Sequence, residues 1–341
     1  MRSALLKLGL ALLALLVICP FGASARGLVY VKTFEREASE SEPASLSGGL
    51  YTLEDERPRR ITRDPSDRDP DVSRTGKIAF AREGDIYLTD YDGSEARQVT
   101  AGPAIDEKPL FSPDGNSLLF TRRAAEGAPR DLFIVPLGGL TLPIPLTATP
   151  ADDSEADFAP DGRSIAFVAR EPGATVPSGD VYSVRPDGSG LARLTATAGA
   201  ERHPLYVAGG LCFDRQRAGR PMAIFITRRD GSGAKPLVAL DPGASLMMVT
   251  PNRRLLAYRS RGVFWALPLS GRRRGVARKL MPAYGARSLV PAPDNRHAAF
   301  LLYFDEVSGI AILNLVRGGL DGGADNYNTF DGTAINPYFG W

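Results

Sequence analysis

The sequence predicts an all-β fold, a β-propeller of four-stranded blades, and three observations carry that prediction. First, a strand–turn–strand phrase recurs. Pro109 to Phe120 reads P-L-F-S-P-D-G-N-S-L-L-F, Phe158 to Phe167 reads F-A-P-D-G-R-S-I-A-F, and looser versions run from Thr250 to Tyr258 and from Ala292 to Phe300. Second, the aromatic residues that close the second strand of each unit (Phe80, Phe120, Phe167, Phe213, Tyr258 and Phe300) are spaced by 40, 47, 46, 45 and 42 residues. A period of that length marks one supersecondary unit used many times. Third, 27 Pro and 36 Gly fall between short apolar runs, so they punctuate strands instead of diluting the chain into disorder.

Each unit contains four strand phrases. In the first, Pro113 pre-sets φ for a turn, Asp114 can bond its own backbone ahead, and Gly115 takes the position a Cβ would strain. The second is an apolar run such as Leu118-Leu119-Phe120, and the third alternates, as in Asp131-Leu132-Phe133-Ile134-Val135. The fourth closes on Thr, as in Val99-Thr100, Leu146-Thr147 and Leu194-Thr195, and Asp-Gly hairpin turns at 92, 187 and 230 join the third phrase to it.

The ends supply a further unit. Leu28 to Val31, Gly49 to Leu53 and Arg59 to Thr62 read as its second, third and fourth strands. Asn336 to Gly340 has the Pro-x-aromatic pattern of an inner strand and is expected to complete that unit, closing the ring. Seven blades are favoured on this count. The alternative is six blades with residues 26 to 70 as an appendage. A closed ring of sheets removes exposed sheet edges, the usual hazard of an all-β chain.

Residues 1–25 read as a signal peptide and 26–341 as the propeller. Arg2 and Lys7 precede an apolar run from Leu8 to Ile18, and Ala23-Ser24-Ala25 is an A-x-A cleavage site before Arg26. The expected location is therefore periplasmic or secreted. Ile18 and Pro20 flank Cys19 badly for a lipoprotein site, and Cys212, in Leu211-Cys212-Phe213, reads as a buried, inert thiol.

Charge is balanced overall but uneven locally. Without Arg2 and Lys7, 39 basic residues face 39 acidic ones. Glu35 to Glu56 carries seven acids and one Arg, whereas Pro242 to Pro293 has ten Lys or Arg and no acid. Arg272, Arg273 and Arg274 in that stretch form a possible patch for an anionic surface, set against the plainer reading of a solvated hairpin. Nucleic acid is not expected, because no aromatic residues are interleaved with the patch.

The phrase P-x-F-S-P-D-G-x-x-L-x-F, followed by D-I-Y-L-T-D-Y-D-G and a closing L-T, resembles the TolB-like propeller repeat. The resemblance is clear over residues 70–195 and weaker towards both ends. It implies a propeller of the kind found in the translocation protein TolB, which binds partner proteins, and in prolyl-oligopeptidase-type peptidases. About 45 residues separate the cleavage site from the first clear repeat, with no counterpart of TolB's N-terminal α/β domain or partner-binding segment.

Chemistry is sparse in the sequence. There is no G-x-S-x-G, and His203 and His297 are the two histidines, too few for a metal centre built on several His. Asp321, Asp325, Asn326 and Asn328 have oxygens but no EF-hand spacing. No cofactor and no metal are expected. The loops before each inner strand are expected to line one channel mouth and to offer Asp106, Glu107, Lys108, Asp153, Glu155, Arg202, His203 and Arg287 to a ligand. The reading that follows is a monomeric, non-catalytic binding module for another envelope protein or peptide. Two alternatives accompany it: an enzyme working with carboxylates at the channel mouth on a glycan or peptide, and a stabilising subunit of an envelope complex.

Overall fold

The computed structural model describes residues 16–18, 28–36, 45–54, 57–139, 141–172, 179–197, 199–241, 244–282, 289–291, 295–304 and 307–316. These residues form seven antiparallel sheets, six of four strands and one of three, each built from strands consecutive in the chain. Sheet 1 comprises Leu16–Ile18, Leu28–Arg36, Ser45–Glu54 and Arg57–Arg60. Sheet 2 comprises Arg68–Val72, Lys77–Arg82, Asp85–Asp90 and Arg97–Gln98. Sheets 3, 4, 5 and 6 begin with the inner strands Ile105–Phe111, Asp152–Phe158, Ala200–Val207 and Ser245–Val249. Sheet 7 comprises Leu289–Pro291, His297–Phe304 and Val307–Asn314.

First strands of successive sheets lie against one another, except that sheet 3 meets the first strand of sheet 4 through Arg130–Pro136, and Leu16–Ile18 touches both the first strand of sheet 7 and that of sheet 2. The first strands therefore wall a central channel, and the ring closes between sheets 7 and 1. The inner place of sheet 1, expected for residues 336–340, is held by Leu16–Ile18, which pairs antiparallel with Leu28–Tyr30. Residues 336–340 lie outside the described residues.

The core follows from the apolar strand phrases. Each hydrophobic cluster straddles two neighbouring sheets: Ile86 and Leu88 of sheet 2 pack with Leu118 and Phe120 of sheet 3, and Leu132 and Ile134 of sheet 3 pack with Ile165 and Phe167 of sheet 4. The repeat aromatic of the second strand sits directly across from an aromatic of the third. The stacked pairs are Phe80–Tyr87, Phe120–Phe133, Phe167–Tyr182, Phe213–Phe225 and Tyr258–Trp265. Each such pair contributes roughly 0.5–1.5 kcal/mol beyond its buried area.

The closing Thr has a specific task. Its hydroxyl oxygen accepts the N–H of the third strand where the short fourth strand stops pairing: Leu50 to Thr62 at 2.8 Å, Ile86 to Thr100 at 2.9 Å, Leu132 to Thr147 at 2.9 Å and Val181 to Thr195 at 2.8 Å. These backbone donors are buried and would otherwise be left unpaired. The Asp-Gly turns close on the neighbouring sheet. Gly231, at φ +81°, leaves so little room that a Cβ there would meet the Leu194 carbonyl oxygen at 2.4 Å.

Candidate functional site in the channel wall

Seven of the residues expected on mouth loops lie within inner strands instead. Asp106, Glu107 and Lys108 are in Ile105–Phe111, Asp153 and Glu155 in Asp152–Phe158, and Arg202 and His203 in Ala200–Val207. The inner strands begin earlier than their apolar phrases suggest, because each one bulges there. Pairing skips residues between Arg68 and Asp71, between Glu107 and Leu110, between Ser154 and Asp157, and between Arg202 and Leu205. The bulged residues Asp69, Lys108, Glu155 and His203 all have left-handed backbones, with φ of 51°, 53°, 56° and 50°. A side chain in that region is uncommon, and its repetition in four successive inner strands makes it a built feature of the wall. Arg287 lies outside the described residues. Arg272, Arg273 and Arg274 are exposed in the turn between the third and outer strands of sheet 6, remote in the chain from this wall.

Charged groups cover the wall in alternating pairs. Arg68 and Arg123 each donate to Glu107 at 3.1 Å. Arg130 holds Asp152 through Nη2 at 2.6 Å, and its Nε donates to the other oxygen at 2.8 Å. Arg170 pairs with Glu155, whose second oxygen accepts the His203 N–H at 2.7 Å, so the bulge of sheet 4 is tied to that of sheet 5. Lys108 is exposed.

His203 is the imidazole of this wall, and it is the partly exposed one of its two groups with acid–base capacity, the other being the buried Asp153. Its Nδ1 lies 3.2 Å from both carboxylate oxygens of Asp214, which is buried on the second strand of the same sheet, while 39% of the His203 side chain remains exposed. Burial alone would lower the imidazole pKa, but the hydrogen bond and charge of Asp214, with the charge of Glu155, outweigh it and raise the pKa above its usual value. The sequence showed a His before a Pro. Its acid stands 11 residues further on across a strand pair, and only the register unites them.

A second series of acids lies two residues before each bulge. Asp67, Asp106, Asp153 and Glu201 are all buried. Asp67 takes Arg82, Asp106 takes Arg122 and Glu201 takes Arg215, at 2.6, 2.7 and 2.6 Å. Asp153 is the exception, facing Ala169, and neither of its carboxylate oxygens has a hydrogen-bond partner among the described residues. Burial pushes its carboxyl up to about 7; the Thr147 hydroxyl opposes the shift, and the negative charges of Asp131, Asp152 and Glu171 add to it. That hydroxyl donates to Asp131 at 3.3 Å. Among the described residues no three His, Cys, Asp or Glu side chains are grouped so as to hold a metal.

No family model matches the chain. Among curated proteins, the Protein TolB homolog of Chlorobium luteolum is 40% identical over 74 residues, covering 20% of this chain and 16% of that protein. The Uncharacterized peptidase YuxL of Bacillus subtilis is 45% identical over 65 residues, covering 17% of this chain and 10% of that protein. The matches thus span less than a fifth of either relative. Among solved structures, oligogalacturonate lyase from Vibrio parahaemolyticus superposes with a TM-score of 0.67 at 12% identity, covering 80% of this chain and 86% of that one. A Mycobacterium tuberculosis puromycin-hydrolyzing peptidase gives 0.67 at 13% identity, over 91% of this chain and 52% of that one. TolB from Acinetobacter baumannii gives 0.51 at 14% identity, over 84% of this chain and 77% of that one. The fold is that of a TolB-like β-propeller.

These likenesses correct the expectation of a non-catalytic module. Enzymes stand beside TolB among the structures with this fold, so the propeller itself gives no ground for excluding catalysis. The missing G-x-S-x-G concerns one route, a serine nucleophile on a nucleophile elbow. It said nothing about proton transfer by a wall residue, which needs one positioned imidazole or carboxyl.

Proposed function

We propose that the channel wall is the site of an acid–base reaction on an oligosaccharide that carries carboxylates, with His203 exchanging the proton. The observation that carries this reading is the His203–Asp214 pair: a partly exposed imidazole fixed through Nδ1 by a buried carboxylate. Asp214 sets the tautomer so that Nε2 meets the substrate, and its charge stabilises the imidazolium once the proton has moved. Arg202 is the residue before His203, and Arg170, tied to Glu155, stands one sheet away, so cationic groups for an acidic sugar lie close by. The likeness to oligogalacturonate lyase supports this substrate class at the level of fold.

A peptide substrate is the second reading, supported by the likeness to a puromycin-hydrolyzing peptidase. The A-x-A site before Arg26 supports a reaction outside the cytoplasm, in the periplasm.

The test is turnover of oligogalacturonides, followed by the ultraviolet absorbance of unsaturated products, beside a panel of peptide anilides. Both are run on the wild type, His203→Gln and Asp214→Asn. Turnover of one class that drops about a hundredfold or more in His203→Gln is expected. Turnover of neither class, or a rate indifferent to His203, removes the reading.

A further inference from the structure

The repeat shows how this protein seats a guanidinium, and at one position it has built the seat without the arginine. In sheet 2, Arg82 gives Nε and Nη2 to Asp67 at 2.6 and 3.0 Å, and its guanidinium lies over Phe80 and Tyr87, 5.1 and 5.0 Å from the ring centres. In sheet 3, Arg122 gives the same two nitrogens to Asp106 at 2.7 and 2.8 Å and lies 5.4 and 4.7 Å from Phe120 and Phe133. In sheet 5, Arg215 gives Nε to Glu201 at 2.6 Å and lies 5.1 and 4.3 Å from Phe213 and Phe225. Three times, then, a seat is made from a buried acid on an inner strand and a stacked aromatic pair on the next two strands. Both parts suit a planar cation.

Sheet 4 keeps both parts. Phe167 and Tyr182 stack at 5.8 Å and 29°, close to the 5.8 Å and 24° of Phe80 and Tyr87. Asp153 holds the acid position, fully buried. The residue across from it is Ala169, in the register that places Arg122 opposite Asp106 and Arg215 opposite Glu201. Nearby cations are committed elsewhere, Arg130 to Asp152 and Arg170 to Ser154 and Glu155. The other charges facing Asp153 are Asp131, Asp152 and Glu171, all negative. Sheet 6 shows that the acid is not needed for the strand itself. One step beyond the Ser245–Arg259 pair, Ala244 stands opposite Ser260, so acid and arginine are lost there together. Keeping a buried carboxylate while deleting its partner leaves a polar group unsatisfied, which is costly to the fold.

We infer that Asp153, Phe167 and Tyr182 form a binding site for a guanidinium group supplied by a ligand, either a small alkylguanidine or the arginine side chain of a peptide. The ligand takes the place held by Arg82, Arg122 and Arg215 in the sibling sheets. Ala169, across from the acid, and Tyr182, of the aromatic pair, are half-buried, so among the described residues the seat is nearest to solvent on their side.

The test measures binding, so it stands or falls apart from turnover. N-ethylguanidinium and N-acetylarginine amide are titrated calorimetrically into the full chain, with N-ethylammonium as the control cation. Saturable binding of at least one guanidinium probe is expected, at least tenfold tighter than the control. Two variants should each weaken it tenfold or more: Asp153→Asn, which keeps the shape and removes the charge, and Ala169→Arg, which refills the seat from within. Comparable affinity for the two probes points to a small guanidine as the natural ligand, and at least tenfold preference for the arginine amide points to a peptide. No saturable binding to the wild type overturns the proposal, as does binding that survives Asp153→Asn, or Ala169→Arg where that variant folds.

Discussion

Asp153 faces Ala169 across the inner strand pair of sheet 4, in the register where Glu201 faces Arg215 one sheet further on. The two carboxylates are equally buried, and their partners set their energetics apart. Glu201→Gln leaves Arg215, itself 5% exposed, as an uncompensated buried cation, and is expected to destabilise by about 3–5 kcal/mol. Asp153→Asn removes a charge that has no partner and is expected to be neutral or to stabilise by about 1–2 kcal/mol at pH 8. Urea unfolding of the two variants beside the wild type measures the contrast. Equal destabilisation by both would show that Asp153 has a partner after all.

The same carboxyl shapes the acid limb of stability. Its pKa is pushed up to about 7, well above that of the unfolded chain. Between those values the folded state holds a proton that the unfolded state has released, so this group's contribution is greatest at low pH and falls as pH rises towards 7. Asp153→Asn is expected to flatten the loss of melting temperature between pH 5 and 8. A slope unchanged by the substitution would assign it to other groups.

His203 titrates in the same direction for the opposite reason. Its raised pKa means that the charged imidazole is favoured in the fold, which stabilises below the unfolded pKa and is lost as pH rises through the folded one. Turnover that uses neutral His203 as base should rise with pH through a value above the usual imidazole pKa, and Asp214→Asn should move that limb to lower pH. A pH–rate profile of the two proteins is the measurement. A limb that stays in place in Asp214→Asn would separate it from His203.

Cys212 offers a check on the packing of sheet 5. Its thiol is buried and burial pushes its pKa up to about 12, so almost no thiolate forms in the native state. Native protein is expected to resist a thiol reagent at pH 8 for as long as it stays folded, and to react fully in urea. Rapid native labelling would mean that Leu211–Phe213 is more open than the fold allows.

Leader removal tests the closure of the ring. Cleavage before Arg26 would vacate the inner place of sheet 1 that Leu16–Ile18 holds against Leu28–Tyr30. The sequence assigns residues 336–340 to that place, so deleting them should lower the melting temperature of the cleaved chain by several degrees and leave the uncleaved chain nearly unaffected. Equal effects in both forms would count against a C-terminal closing strand.

The architecture was legible in the sequence because it is written in local chemistry that repeats. Pro-Asp-Gly and Asp-Gly turns, alternating apolar strands, the aromatic of the second strand and the closing Thr each act within about 20 residues, and the strand pairs form where those signals place them. His203 and Asp153 were legible as residues of interest on the same ground. What each of them does was not. A bulge in the strand turns a presumed loop into channel wall, and it shifts which residue of the second strand stands opposite. The partners that decide the chemistry, Asp214 for His203 and a missing arginine for Asp153, are therefore set by cross-strand register and by comparison between neighbouring sheets. Sequence spacing fixes which strands form. Burial and pairing fix which carboxylate is a strut and which is left to meet a ligand, because a charge in a low-dielectric wall is defined by what stands within a few ångströms of it.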